Sequence, residues 1–133
     1  MLSLSNKLEN ECQLPEGSFL VSKNQKYQLK VQSDGNLVLY KEGDNIIWSS
    51  NTAGSGTGPF HLIVQNDGNL CLYDGSGKCT WDTKTFGKGK APFHLTLHNR
   101  GLLALYYFNG HRNYCHWSTG TSEIELRYSS DSD

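Results

Sequence analysis

The sequence predicts an all-β protein made of three similar units, and three observations lead to this prediction. The 133 residues include 14 glycines, 7 tyrosines, 5 phenylalanines and 3 tryptophans, a composition typical of strands separated by tight turns. Several short segments alternate apolar and polar residues, whereas no segment shows the 3.6-residue period of a helix. One nine-residue stretch occurs twice, as QSDGNLVLY at 32–40 and QNDGNLCLY at 65–73.

The repeat has a nearly constant period. The glutamines that open the two stretches are 33 positions apart, and 33 further positions lead to a weaker copy, HNRGLLALY. Trp48 and Trp81 are also 33 positions apart, whereas Trp117 follows after 36. A fixed period indicates one structural unit stacked several times. We therefore predict a single domain over 1–133, with repeats at about 27–52, 60–85 and 93–121 and a tail at 122–133.

Each unit is predicted to contain three strands joined by two turns. The first strand alternates inward and outward residues, as in YQLKVQ, FHLIVQ and FHLTLH. Asp-Gly, a strong hairpin signal, follows it in the first two units. The second strand carries inward leucines, and a turn such as KEGD or DGSG leads to a third strand with the tryptophan. The three tryptophans are therefore expected to meet in the core on a pseudo-threefold axis.

The chain has four cysteines: Cys12, Cys71, Cys79 and Cys115. Two disulfides are possible, but no CxxC spacing occurs and free thiols are the preferred interpretation. Strand parity predicts that Cys79 points inward with Trp81 and that Cys71 points outward. The two thiols would then lie on different faces, which disfavours a bridge between them unless the hairpin contains a bulge.

The outward residues of the first two repeats form a matched set. They are Gln32, Asp34, Asn36, Val38 and Tyr40, and then Gln65, Asp67, Asn69, Cys71 and Tyr73. Each set combines a carboxylate acceptor, two amides, a phenol and a small apolar side chain, which suits the hydroxyls and ring of a hexose. Turn formation and duplication explain part of the match, but a turn requires neither the glutamine nor the tyrosine.

The pattern Gln-x-Asp-x-Asn-x-Val-x-Tyr, with tryptophan-bearing strands between its copies, resembles the monocot bulb-type mannose-binding lectins over roughly residues 7–121. This resemblance implies a β-prism II fold, with three four-stranded sheets around a pseudo-threefold axis. It also implies non-enzymatic binding of D-mannose and mannose-rich glycans or glycoproteins, at two intact sites and without a metal ion or cofactor.

The same resemblance implies a role for each residue of the first set. Asp34 and Asn36 would bind the axial 2-hydroxyl of mannose, Gln32 the 3-hydroxyl and Tyr40 the 4-hydroxyl. Val38 would pack against the ring carbons. The second set would have the same roles in the same order, with a cysteine in place of the valine.

The third copy departs from this pattern. It carries His98, Arg100, Leu102, Ala104 and Tyr106. Because a cation replaces the carboxylate, we expect no mannose binding there. The disulfide of the plant members is also missing, since Gly35 stands where one of its cysteines would be. The chain therefore resembles the disulfide-poor branch that includes fish and other non-plant members.

The composition and the two ends of the sequence limit the classes of partner and the cellular location that we expect. The charges, 12 Lys+Arg against 13 Asp+Glu with no basic block, disfavour nucleic acid and anionic membranes. No apolar run approaches membrane-spanning length and no signal peptide is visible, so we expect a cytoplasmic location or leaderless secretion. The tail EIELRYSSDSD is compatible with a last strand, and family members often exchange such a strand, which predicts a homodimer.

Other functional classes remain as alternatives. A prism that has lost sugar binding and serves a structural or protein-interaction role is the main one, because the third copy shows such a loss. An enzyme is disfavoured, since GxSxG, HExxH and a convincing carboxylate pair are missing. Asp-x-Asn lacks the rest of a calcium loop. A zinc site at His111, Cys115 and His116 is conceivable, but an altered loop is the simpler interpretation.

Overall fold

A computed structural model describes residues 5–122 of the chain. The strands within them are β1 Lys7–Glu9, β2 Gln13–Pro15, β3 Phe19–Val21, β4 Tyr27–Val31, β5 Leu37–Lys41, β6 Asn45–Ser49, β7 His61–Val64, β8 Leu70–Tyr73, β9 Cys79–Asp82, β10 Phe93–Leu97, β11 Leu103–Phe108 and β12 Asn113–Ser118. This part of the chain contains no helix long and apolar enough to cross a membrane. The predicted C-terminal strand lies outside the described residues.

The strands form three four-stranded antiparallel sheets. Sheet I has the order β3-β4-β5-β6, sheet II the order β2-β7-β8-β9, and sheet III the order β1-β10-β11-β12. In each sheet, three consecutive strands come from one repeat and the fourth is a short strand from residues 7–21. The predicted all-β fold with three four-stranded sheets is therefore confirmed.

One row of apolar side chains crosses the inner face of each sheet. In strand order, the rows are Leu20, Leu29, Leu39 and Trp48; Leu14, Leu62, Leu72 and Trp81; and Leu8, Leu95, Leu105 and Trp117. Every leucine in these rows is buried. Each short N-terminal strand thus contributes one inward leucine, and burial of that side chain stabilises its pairing with the sheet.

The three indoles meet as predicted. Trp48 lies 5.5 Å from Trp81 and 5.9 Å from Trp117, and Trp81 lies 5.6 Å from Trp117, all measured between ring centroids. The planes cross at 70–74°, the edge-to-face arrangement that aromatic pairs prefer. The three tryptophans, one from each sheet, therefore pack together at the centre of the prism.

Turn glycines connect each sheet to the next. Gly35 has φ +90°, and the glycines at 68 and 101 have +94° and +89°, a conformation that side chains disfavour. A Cβ atom at each position would contact an aromatic ring of the neighbouring sheet. The pairs are Gly35 with Phe60 at 2.9 Å, Gly68 with Phe93 at 3.1 Å, and Gly101 with Tyr27 at 2.7 Å. The third repeat thereby contacts the first, and the three sheets close into a ring.

This close approach gives a testable expectation. Gly35→Ala should lower the free energy of unfolding by about 1–3 kcal/mol, because it combines an unfavourable φ with steric overlap. The new Cβ would lie 2.8 Å from the Ser55 carbonyl oxygen. Gly77→Ala is the matched control, with φ +88° and no atom within 4 Å of the added Cβ. Urea unfolding of both variants measures the difference, and equal losses would contradict a role for the contact between sheets.

A bulge changes the face on which Cys79 lies. The β8–β9 register shifts between Leu72 and Tyr73, so that Leu72 faces Trp81 while Tyr73 faces Cys79. Cys79 therefore shares the outer face with Cys71, and the prediction of opposite faces is wrong. The same shift occurs in the other two sheets. No disulfide joins the four cysteines, all of which belong to the described residues.

Candidate functional site

The structure brings the first predicted set together on the outer face of sheet I. The side-chain amide of Gln32 lies between the other polar groups. Its NH2 donates to the two carboxylate oxygens of Asp34 at 3.2 and 3.3 Å, and its carbonyl oxygen accepts from the Tyr40 hydroxyl. Val38, on the strand between them, is buried. Three of the five side chains are thus linked by hydrogen bonds into one continuous patch, and Val38 is its apolar base.

Asn36 completes this patch from the turn. Its backbone N–H donates to Asp34 Oδ1 at 2.9 Å, which closes an Asx turn. Its side-chain oxygen accepts from the Ser50 hydroxyl at 3.0 Å and from the Thr52 N–H at 3.2 Å. These bonds orient the amide, and no hydrogen bond joins its NH2 group to another residue within 5–122. Both N–H donors of Asn36 are therefore available to a ligand.

A pair of hydroxyls supports the turn in every repeat. The pairs are Ser50 with Thr52, Thr83 with Thr85, and Thr119 with Thr121, each at 2.7 Å. The second hydroxyl of each pair donates to the carbonyl of the turn glycine, at 2.6–2.7 Å. Because the third repeat has this support without the polar set, the turn does not depend on the glutamine, aspartate or asparagine. The polar segments after each tryptophan contain these hydroxyls, but no motif in the sequence marks them as turn supports.

The second predicted set has the same arrangement on sheet II. The Gln65 NH2 donates to the Asp67 carboxylate at 3.2 and 3.3 Å, and its carbonyl accepts from Tyr73. Two features differ from the first set. The Asn69 NH2 donates to Asp82 at 2.8 Å, and Cys71 Sγ lies 3.3 Å from the terminal amide of Gln65. One donor of the second asparagine is therefore occupied within the protein.

The difference arises from one cross-strand position. Asp82 faces Cys71, whereas Ser49 occupies the equivalent position opposite Val38. Burial raises the pKa of the Cys71 thiol to about 12, and the neighbouring Cys79 and Asp82 add to the rise. Cys71 is therefore a neutral thiol at pH 7, which can replace the valine as a small apolar contact.

The third set is also assembled, with different chemistry. His98 Nε2 lies 2.7 Å from the Tyr106 hydroxyl, and His94 stacks on the Tyr106 ring at 5.2 Å. Arg100 and Leu102 occupy the positions of the carboxylate and the asparagine, and Ala104 is buried. This patch therefore lacks the acceptor and the amide donors that characterise the other two.

The zinc site that the sequence made conceivable is not assembled in the described part of the chain. His116 Nε2 lies 3.1 Å from the carbonyl oxygen of Gly68, and the ligand atoms of His111, Cys115 and His116 do not converge within residues 5–122. Across residues 5–122, a group of three possible metal-ligating side chains forms at one other place, which includes Cys71. The segment around His111 is thus better described as an altered loop.

No protein-family model and no curated protein sequence matches the chain. Solved structures do match. A monomeric monocot mannose-binding lectin from Gastrodia elata is 30% identical, with a TM-score of 0.77 over 89% of this chain and 99% of that chain. The chain belongs to the bulb-type mannose-binding lectin family. Its three sheets are accordingly those of a β-prism II lectin, and it is a carbohydrate-binding protein.

Two further structures are similar to this lectin. The mannose-specific agglutinin of snowdrop, Galanthus nivalis, in complex with methyl-α-D-mannoside, is 31% identical, with a TM-score of 0.72 over 88% of this chain and 97% of that chain. A lectin from Marasmius oreades is 26% identical, with a TM-score of 0.78 over 91% and 95% of the two chains. The likeness extends over nearly the whole of each relative.

Proposed function

We propose that this lectin binds D-mannose and mannose-rich glycans at two sites per chain, without a metal ion and without catalysis. Site 1 consists of Gln32, Asp34, Asn36, Val38 and Tyr40, and site 2 consists of Gln65, Asp67, Asn69, Cys71 and Tyr73. One observation carries this proposal. The same linked carboxylate, amide and phenol occur on two sheets, while the third sheet has the same turn support and the phenol but neither the carboxylate nor the amides.

The geometry of site 1 favours a hydroxyl that both donates and accepts. The exposed Asp34 carboxylate can accept from it, and the Asn36 NH2 can donate to it. The axial 2-hydroxyl of mannose meets this requirement. Glucose has the equatorial epimer at this carbon, so that the same ring position would leave both protein groups without a partner. The mannoside bound to the snowdrop relative supports the same sugar class.

Mannose–agarose chromatography in EDTA tests this function. We expect the folded protein to be retained and to be eluted by methyl α-D-mannoside, but poorly by methyl α-D-glucoside. Circular dichroism of the loaded protein confirms that it is folded. Complete passage of folded protein through the column would instead favour the structural or protein-interaction role. A glycan array then identifies the preferred branched ligand.

The two sites should differ in affinity. Because Asp82 occupies one N–H of Asn69, Asp82→Ser should strengthen mannose binding at site 2 by roughly 2- to 12-fold, which corresponds to about 0.5–1.5 kcal/mol for one hydrogen bond. Titration calorimetry in an Asp34→Ala background isolates site 2. The reciprocal change Ser49→Asp, in an Asp67→Ala background, should weaken site 1 by a similar factor. Unchanged affinities in both variants would contradict this explanation.

We also propose a homodimer that exchanges C-terminal strands, which would place four sites on one particle and increase avidity for branched glycans. Each sheet already has four strands within residues 5–122, so the exchanged strand would be added at an outer edge. Light scattering of the full chain should give twice the monomer mass of 14.9 kDa, and truncation after residue 122 should give the monomer. A monomeric full chain, as described for the Gastrodia relative, would exclude the dimer.

We propose a cytoplasmic location for this lectin, because a reducing compartment fits its cysteines. Cys12, Cys79 and Cys115 are exposed, and none of them is in a disulfide. Exposed thiols persist in reducing compartments, whereas oxidising ones convert them to disulfides. Alkylation of living cells before lysis, followed by mass spectrometry, should find these three thiols reduced.

A further inference from the structure

Three possible metal ligands converge at the edge of site 2. Cys71 lies on β8 directly opposite Asp82 on β9, and the bulge brings Cys79 to the same outer face. The two Sγ atoms and a carboxylate oxygen of Asp82 all lie within 4.8 Å of one another. Cys79 is exposed and Asp82 is half-buried, so that an ion can reach the group from solvent.

These ligands match the preferences of a thiophilic cation. Structural and catalytic Zn²⁺ sites use thiolate and carboxylate ligands at about 2.3 and 2.0–2.2 Å in a tetrahedron, which places ligand atoms roughly 3.5–3.8 Å apart. The observed upper limit of 4.8 Å exceeds this spacing by an amount that side-chain rotation can remove. Water can supply the fourth ligand on the solvent side.

Coordination by this group has a defined proton balance. Cysteine binds a metal ion as the thiolate, so a divalent cation would displace the thiol protons of Cys71 and Cys79 into solvent. The cation would then lie among three negatively charged ligand groups.

The other two sheets provide internal comparisons. The positions equivalent to Cys71, Cys79 and Asp82 hold Val38, Ile46 and Ser49 in sheet I. In sheet III they hold Ala104, Cys115 and Ser118. At these positions sheet I has no thiol and sheet III has one, and neither sheet has a carboxylate. The convergence is thus a property of site 2 and does not follow from the fold.

We propose that Cys71, Cys79 and Asp82 bind Zn²⁺ or a similar thiophilic divalent cation. The bound cation prevents mannose from binding at site 2, which is called the closing effect below. The closing effect rests on the proposed sugar site. Cys71 is the apolar base of that site, and Asp82 accepts from the Asn69 NH2 at 2.8 Å. Metal binding converts Cys71 to a thiolate and draws Asp82 toward the ion. Because the coupling is reciprocal, mannose at site 2 weakens metal binding by the same factor.

A Co²⁺ titration of the reduced full chain tests the metal site directly. A Cys12→Ser/Cys115→Ser background removes the other two thiols. We expect a thiolate-to-cobalt charge-transfer band that saturates at one ion per chain and is displaced by Zn²⁺. Cys79→Ser and Cys71→Val should each abolish the band. Absence of the band in the reduced background, or its persistence in both variants, would overturn the metal site.

A mannose titration in the presence of Zn²⁺ tests the closing effect separately. In the serine background we expect two mannosides per chain without Zn²⁺ and one with it, whereas Cys79→Ser should bind two under both conditions. Two mannosides with Zn²⁺ bound would overturn the closing effect and leave the metal site standing. If no mannoside binds even without Zn²⁺, the proposed sugar function fails, and the cobalt titration still decides the metal site.

Discussion

Asp34→Ala should reduce the number of mannosides bound per chain from two to one. The carboxylate is the exposed acceptor of site 1, and the Gln32 NH2 lies 3.2–3.3 Å from its two oxygens. Loss of a hydrogen bond to a charged group costs about 1.5–3 kcal/mol, a roughly 10- to 150-fold loss of affinity. Asp67→Ala should have the same effect at site 2, and the double variant should bind no mannoside. Isothermal titration with methyl α-D-mannoside measures each stoichiometry.

Two controls separate sugar binding from folding in this experiment. Asp34→Asn retains the oxygen that accepts the Asn36 N–H at 2.9 Å, so that the turn persists while the charge is lost. Arg100→Ala changes the equivalent position of the third repeat and should leave two mannosides bound. An Asp34→Ala protein that is folded and still binds two mannosides would refute the assignment of site 1.

Trp81→Ala should cost about 3–5 kcal/mol of the free energy of unfolding. The indole contacts Trp48 at 5.5 Å and Trp117 at 5.6 Å, and it packs against the buried core. Such a loss is a large part of the 5–15 kcal/mol that is typical for a small domain. Because the three rings contact one another, the costs of a Trp48→Ala/Trp81→Ala pair should not be additive. Urea unfolding monitored by far-UV circular dichroism measures both effects.

Phe86 provides the matched control for the tryptophan variants. Its aromatic side chain is 72% exposed, so that Phe86→Ala should change the stability by no more than about 0.5 kcal/mol. If Trp81→Ala and Phe86→Ala have equal effects, the central contact of the three indoles does not stabilise the prism.

Much of the fold could be predicted because two of its longer strands alternate apolar and polar residues over their whole length. The alternation in β4 and β10 extends over five residues, and Asp-Gly marks the turns of the first two repeats. The three N-terminal strands have three residues each, too few to show a period of two. In the sequence these strands are marked only by a leucine at every sixth position, at Leu8, Leu14 and Leu20. The spacing can be interpreted once the structure shows that each leucine completes a row of apolar side chains across one sheet.

The candidate sites were predicted as sets of residues but not as hydrogen-bond networks. Parity along a strand indicates which side chains face outward, and this placed Asp34 and Tyr40 on one surface. The bulge adds one residue on β9, and no local signal marks it, so the position of Cys79 was predicted on the wrong face. The bond from Asn69 to Asp82 depends on the same register and was therefore also invisible in the sequence.

The hydroxyl pair Thr119–Thr121 has a consequence for the third sheet. Thr121 donates to the Gly101 carbonyl at 2.6 Å, so the third repeat has the same backbone frame as the other two although its outward side chains differ. Placing the polar set of the other repeats on this sheet should therefore require no remodelling of the main chain. Substitutions at His98, Arg100 and Leu102 would give all three sheets the same outward polar groups.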